Sequence, residues 1–151
     1  MIKKIAIYPG SFDPIHDGHI NIIKRSSKLF DKLYVAVSHN VDKPNQSNID
    51  VRLKNVKKII RKLNLKNVEA IKNIGLTIEF AKKLKCGFIV RSIRNPKDYK
   101  YELNIAKTHK MLDASIDTVL FISSKELSKK SSTDIRKIQQ KLKKLNAKNI
   151  R

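Results

Sequence analysis

Short apolar runs alternate along the chain with longer stretches in which apolar residues recur every three or four positions. Residues 3–8 (KKIAIY) read as a first strand, closed by Pro9-Gly10. A helix is expected from near Gly18 to about Leu29, with Ile20, Ile23 and then Phe30 on one side. Residues 32–38 (KLYVAVS) form a nearly continuous apolar run, the pattern of a parallel strand covered on both faces. Asp50 then reads as the cap of a helix whose Leu53, Val56, Ile60 and Leu63 share a stripe. The second half repeats the alternation: a weak strand at 68–71, a short helix at 77–84 carrying Ile78, Ala81 and Leu84, and a brief strand at 88–90. A helix from about Tyr99 to Leu112, a strand at 118–123 and a helix opening at Ser132-Thr133 complete the pattern, the basic tail KLKKLNAKNIR reading as the frayed end of that helix.

Strict strand–helix alternation implies right-handed crossovers and a parallel sheet. The expected architecture is α/β: one doubly wound, Rossmann-like domain over 1–151, with five parallel strands and helices on both faces. No repeat or interdomain linker interrupts it. Ligands in such sheets bind beyond the carboxyl ends of the strands, so the residues just after strands are the ones to inspect.

The 151-residue length suits one domain, and 40% hydrophobic with 31% charged residues is a globular composition. No apolar run approaches the roughly 20 residues that cross a bilayer, and the opening MIKKIAIYPGSFDP turns too soon for a secretory signal. Cys86, the single cysteine, has no partner for an internal disulfide, and the expected compartment is the cytoplasm. The 34 Lys+Arg against 13 Asp+Glu give +21, a field that attracts polyanions. The lysines are spread along nearly every segment without an aromatic cluster, a Cys/His finger or a glycine-arginine tract, so nucleic acid is disfavoured against small anionic ligands.

The post-strand segments carry the chemistry. After the first strand comes Tyr8-Pro9-Gly10-Ser11-Phe12-Asp13-Pro14-Ile15-His16-Asp17-Gly18-His19. Its His-x-Gly-His pattern puts His19 in the first turn of a helix, where backbone N–H groups and the helix dipole favour an anion. Gly18 there would let a phosphate approach the backbone, and Ser11 adds a hydroxyl. Arg91 and Arg94, three apart at another strand's end, offer forked donors suited to phosphate oxygens. Ser131-Ser132-Thr133 reads as a helix cap whose hydroxyls and amides double as a polyphosphate cradle. Glu102 is an acid in an otherwise basic cleft, readable from its position as an early-helix acid facing the dipole. Cys86, His39 and His109 have no assigned chemistry.

The segment YPGSFDPIHDGH resembles the signature of the HxGH nucleotidyltransferases, and among them the bacterial phosphopantetheine adenylyltransferases of coenzyme A biosynthesis. Arg91-Ser92-Ile93-Arg94, Asp98 to Glu102, Ser124-Lys125-Glu126 and Ser131 to Arg136 follow in the family's order over nearly the whole chain. The resemblance implies ATP contacts at Ser11, Phe12, His19, Ser92, Ile93, Arg94, Glu102, Leu127, Ser128, Lys129, Lys130, Ser131, Ser132 and Thr133. It implies phosphopantetheine contacts at Ser11, Lys43, Thr77 and Arg91, Mg²⁺ entering with ATP rather than in a protein cage, and a homohexamer. The chain departs from the family pattern at Asp42-Lys43, where two lysines are usual, at Ser92, where glycine is usual, and at Lys129-Lys130, where apolar residues are usual.

The implied reaction is attack of the phosphate of 4'-phosphopantetheine on the α-phosphorus of ATP, with His19 as the transition-state donor and Ser11 orienting the nucleophile. Two rivals are a nucleotidyltransferase of the same superfamily with another acceptor, such as nicotinamide mononucleotide or glycerol phosphate, and a basic nucleic-acid-binding protein.

Overall fold

Alternate residues of β1 (Ile5–Gly10) face opposite ways: Ala6 and Tyr8 join one buried cluster and Ile7 the other. That alternation divides the molecule into two apolar layers. The computed structural model describes residues 3–40, 42, 44–124 and 132–149, without the side chains of 132–134. After β1 come α1 (Asp17–Leu29), β2 (Lys32–Ser38), α2 (Ile49–Leu63), β3 (Val68–Asn73), α3 (Thr77–Lys83), β4 (Phe88–Ile93), α4 (Pro96–Leu112), β5 (Asp117–Ile122) and α5 (Ser132–Asn149). The strands form one parallel sheet in the order β3-β2-β1-β4-β5. Ile22 and Ile23 of α1 and Val56 and Ile60 of α2 cover one face, while Ile78 and Ala81 of α3 cover the other. This is the expected doubly wound architecture. Its winding reverses between β1 and β4, which places a crevice at their carboxyl ends.

Several boundaries differ from the sequence reading, each for a local reason. β1 does not stop at Tyr8; Pro9 and Gly10 stay in register with Ala36 and Val37, because a proline removes one ladder donor and leaves its carbonyl. On α1 it is Ile22, not Ile20, that joins Ile23 and Phe30 inside, since 22, 26 and 30 follow one helical row. Asp50 does not cap α2. Asn48 does, its side chain accepting from the Asp50 N–H at 2.8 Å, while the Asp50 carboxylate pairs with Lys72 of β3 at 2.9 Å. β3 runs two residues further than expected, to Asn73. β4 continues to Ile93 because its register with β5 holds through Ile122, so Arg91, Ser92 and Ile93 lie in the strand rather than after it. α4 opens at Pro96, earlier than Tyr99, because Asn95 caps it and proline suits the first helical position.

Arg52 of α2 is 2% exposed. Its Nε donates to the Ser47 carbonyl at 3.0 Å, and its Nη1 to the carbonyls of Ser11 at 2.7 Å and Ser38 at 2.8 Å. One guanidinium therefore joins the loop after β1, the end of β2 and the approach to α2. Arg52→Leu keeps the apolar packing and removes all three charge-assisted bonds, each worth roughly 1.5 kcal/mol or more. Urea denaturation is expected to show a loss of about 3 kcal/mol or more; a loss below about 1 kcal/mol, the worth of one ordinary hydrogen bond, would show that the three carbonyls do not depend on this donor.

Candidate active site

The loop leaving β1 is shaped by an aromatic ring turned inward. Phe12 has a φ of 48° and is 1% exposed. A Cβ on Gly10 would lie 3.0 Å from that ring, so glycine at the strand's end spares the packed Phe12 a crowded contact. The ring meets Tyr8 edge-on at 5.4 Å between centroids and His19 edge-on at 4.9 Å. Phe12 thus supports the His19 ring.

His16 and His19 cap α1 reciprocally. The His16 Nδ1 accepts from the Gly18 N–H at 3.1 Å, and the His19 Nδ1 accepts from the His16 N–H at 3.2 Å. The two rings stack at 3.8 Å. An Nδ1 that accepts from an amide carries no hydrogen, so the N–H of the His19 ring is at Nε2, on the edge remote from the cap. The helix start therefore fixes both the tautomer and the direction of a donor. At Gly18 a Cβ would come 2.9 Å from the His16 ring, so the missing side chain makes room for the cap.

On the neighbouring strand, Arg91 donates from Nε to Glu102 Oε2 and from Nη2 to Glu102 Oε1, both at 2.8 Å. Glu102, on α4, is 6% exposed. Burial alone would lower the Arg91 pKa, but the hydrogen bonds and charge of Glu102 outweigh it and hold the guanidinium above its usual value. Glu102 directs both carboxylate oxygens at Arg91. Beside this pair, burial pushes the Tyr8 phenol up to about 12 against the opposing Arg91 charge, and its hydroxyl bonds to the Ser92 side chain. His109, two helical turns beyond Glu102, has a buried Nδ1 with no hydrogen-bond partner, and burial followed by the Arg91 charge lowers its pKa. Ser92 has no positive φ, so serine in the usual glycine position brings no backbone strain. Arg94 is more exposed and bonds Asp98 from Nε at 3.0 Å and from its backbone N–H at 3.1 Å; that side-chain bond foremost holds the Asp98 carboxyl below its usual range.

Ser11 and His19 follow β1, and Arg91, Ser92 and Ile93 end the adjacent β4 with Arg94 just beyond it, so these residues occupy neighbouring strand ends. Thr77 begins α3 after the edge strand β3, as expected. The segment after β5 is tied back to α1: Ser124 Oγ donates to Asn21 Oδ1 at 2.9 Å, and Arg25 Nη1 donates to the Ile122 carbonyl at 2.8 Å. Lys43, Leu127, Ser128, Lys129, Lys130 and Ser131 lie outside the described residues, as do the side chains of Ser132 and Thr133. Among the described residues no group of three or more His, Cys, Asp or Glu side chains is arranged to hold a metal ion. Nor is any helix among them long and apolar enough to cross a membrane.

A parallel sheet with a histidine-capped helix after β1 and an arginine at the end of β4 is the framework of a nucleotidyl-transferring fold. Residues 7–138 match the family described as cytidylyltransferase-like, and the chain belongs to that family. It is 44% identical over 137 residues to the phosphopantetheine adenylyltransferase of Mycoplasma capricolum, covering 90% of this chain and 96% of that one. It is 38% identical over 138 residues to the phosphopantetheine adenylyltransferase of Buchnera aphidicola, covering 91% and 82%. Within the family the chain therefore falls among the phosphopantetheine adenylyltransferases. A lipopolysaccharide core biosynthesis protein from Thermoplasma volcanium shares the fold, with a TM-score of 0.61, 24% identity and coverage of 80% of this chain and 98% of that one.

Arg52 and His16 were the contributors that sequence reading passed over. Arg52 had a signal, falling four residues before Val56 and eight before Ile60 on the buried stripe of α2. His16 was legible only as half of a pattern whose other half took the chemistry. His16→Ala removes a cap acceptor and the stacked ring while leaving the backbone N–H that orients His19. Urea denaturation should show a loss of about 1 kcal/mol, with turnover reduced far less than by His19→Ala; equal losses of turnover would give His16 a direct part in the chemistry.

Proposed function

We propose that the chain transfers the adenylyl group of ATP to 4'-phosphopantetheine, giving dephospho-CoA and pyrophosphate. One observation carries the reading: the His19 ring, with its N–H fixed at Nε2, and the Arg91 fork stand at the carboxyl ends of adjacent strands flanking the switch point. Kinship with the phosphopantetheine adenylyltransferases supplies the acceptor.

A phosphate oxygen of the acceptor forms a bond to the α-phosphorus while the bond from that phosphorus to the bridging oxygen breaks, and pyrophosphate leaves with the electron pair. A phosphate dianion needs no general base, so catalysis is positioning plus stabilisation of charge on the α-phosphate and the leaving group. His19 donates from Nε2 to the α-phosphate. Ser11 orients the attacking phosphate. Arg91, with Lys43 and Thr77, holds phosphopantetheine; Arg94, Ser132 and Thr133 take the β- and γ-phosphates. Phe12, Ser92 and Ile93 and the stretch Leu127, Ser128, Lys129, Lys130 and Ser131 complete the ATP site. Mg²⁺ enters as part of the substrate, on ATP oxygens, which suits an ion that keeps its waters and phosphate ligands. The reading includes a cytoplasmic homohexamer. Exposed Ile135, Ile138, Leu142 and Leu145 along α5 support assembly, since in the single chain none of them is buried.

The test is incubation of the purified protein with ATP, Mg²⁺ and phosphopantetheine, with mass detection of dephospho-CoA. Nicotinamide mononucleotide and glycerol phosphate serve as competing acceptors, and preferential turnover of either would overturn the assignment. His19→Ala is expected to lower kcat by roughly 10²–10³, the loss of one preorganised donor, with a smaller change in ATP binding. Arg91→Ala should chiefly weaken phosphopantetheine; calorimetry showing that affinity intact while ATP binding collapses would exchange the roles of the arginines.

A further inference from the structure

We infer that Arg25 and Asn21 of α1 are positioning residues for ATP, clipping the chain that leaves β5 to the same helix that presents His19. The inference rests on the roles proposed above for His19, Ser132 and Thr133. β5 is an edge strand of the sheet. The Ser123 N–H donates to the Ile93 carbonyl of β4 at 2.8 Å, so the Ile122 carbonyl, on the opposite side of the same peptide, faces the open edge without a ladder partner. Arg25 supplies one. Its Nη1 donates to that carbonyl at 2.8 Å and to Asn21 Oδ1 at 3.3 Å, and its guanidinium carbon lies 5.0 Å from the centre of the Phe121 ring. Asn21 Oδ1 also accepts from Ser124 Oγ at 2.9 Å. Phe121, Ile122 and Ser124 are therefore held by two side chains that stand one helical turn apart on α1.

Along a helix that rises about 1.5 Å per residue, Asn21 lies about 3 Å and Arg25 about 9 Å from His19. One rigid element thus carries both the donor proposed for the α-phosphate and the point from which the chain departs toward α5, which opens at Ser132. Drift of that exit away from α1 would separate the groups proposed for the β- and γ-phosphates from the one proposed for the α-phosphate, and ATP needs them together. The Arg91 fork proposed for the acceptor stands on β4 and is outside the clip.

The test is calorimetric titration of the full-length chain with ATP and Mg²⁺ and, separately, with phosphopantetheine, beside steady-state kinetics with each substrate varied in turn. Arg25→Met keeps the apolar stem against Phe121 and removes the donors. It is expected to weaken ATP roughly 10–100-fold, the scale on which a displacement of about 1 Å remote from the chemistry acts, with the affinity for phosphopantetheine unchanged. Arg25→Lys retains a donor without the planar fork and should recover part of the loss. Ser124→Ala removes only the second tie and should weaken ATP to a smaller degree; it decides the question if Arg25→Met does not fold, unchanged ATP affinity then overturning the inference. Equal weakening of both substrates, or a lowered Tm with ATP affinity intact, would make the contacts a stability device and overturn it as well. Wild-type protein that binds ATP but forms no dephospho-CoA would defeat the proposed reaction and leave calorimetry to judge the clip, whereas wild-type protein that binds no ATP would defeat both.

Discussion

The buried guanidinium of Arg52 holds three carbonyls from three segments, Ser11, Ser38 and Ser47, at the edge of the sheet where the site lies. A backbone that turns at the end of a parallel strand leaves carbonyls without ladder partners, and such groups must find donors. A single arginine is an economical source because its donors fan out in one plane and none can be lost by deprotonation. Since Ser11 stands between Gly10 and Phe12, fixing its carbonyl fixes where Phe12 turns inward, and Phe12 in turn meets the edge of His19. The position of the proposed donor on α1 is thus set from α2, across the end of the sheet.

Charge acts at two ranges. The chain carries 34 basic and 13 acidic residues, so a cation at any given surface point needs no special account. An acid fully inside, clamped on an arginine, does. The other described ion pairs, such as Lys32 with Glu69, Lys72 with Asp50 and Lys110 with Asp117, involve exposed or half-exposed side chains and are individually worth little. The Arg91–Glu102 pair is different: locally it nearly cancels, so its contribution is direction rather than attraction. Attraction of anionic substrates falls to the diffuse lysine field, which acts over distance and is screened by salt.

Where apolar content was high the sequence was legible to the residue, as in β2 and in the Ile78–Ala81 stripe of α3. It lost resolution toward the carboxyl ends of β1, β3 and β4, because these strand ends carry Pro9-Gly10, Lys72-Asn73 and Arg91-Ser92 in place of the branched apolar residues that mark a strand. Such strand ends therefore look like loops. The choice between Asn48 and Asp50 as cap turned on Lys72, a residue distant in sequence that draws the aspartate away. Arg52 was hidden by its type: a guanidinium on an apolar stripe reads as an error until three carbonyls are seen around it. The partner of Glu102 lies eleven residues earlier on another element, so spacing alone gave no reason to choose between an ATP contact, a dipole-facing acid and an arginine clamp.

The cap of α1 shows why imidazole suits position 19. The helix start needs an acceptor there for the His16 N–H, and the proposed chemistry needs a donor facing elsewhere. A carboxylate or hydroxyl would satisfy the helix without supplying a fixed N–H, and a guanidinium would supply donors with no acceptor for the cap. A glutamine amide has both, but on three rotatable bonds whose ordering opposes the fixed geometry. Imidazole puts acceptor and donor on opposite edges of one rigid ring, here pressed between the His16 face and the Phe12 edge. In the His19 half of the cap, helix capping and donor orientation are then a single constraint, set by the bond from the His16 N–H to the His19 Nδ1.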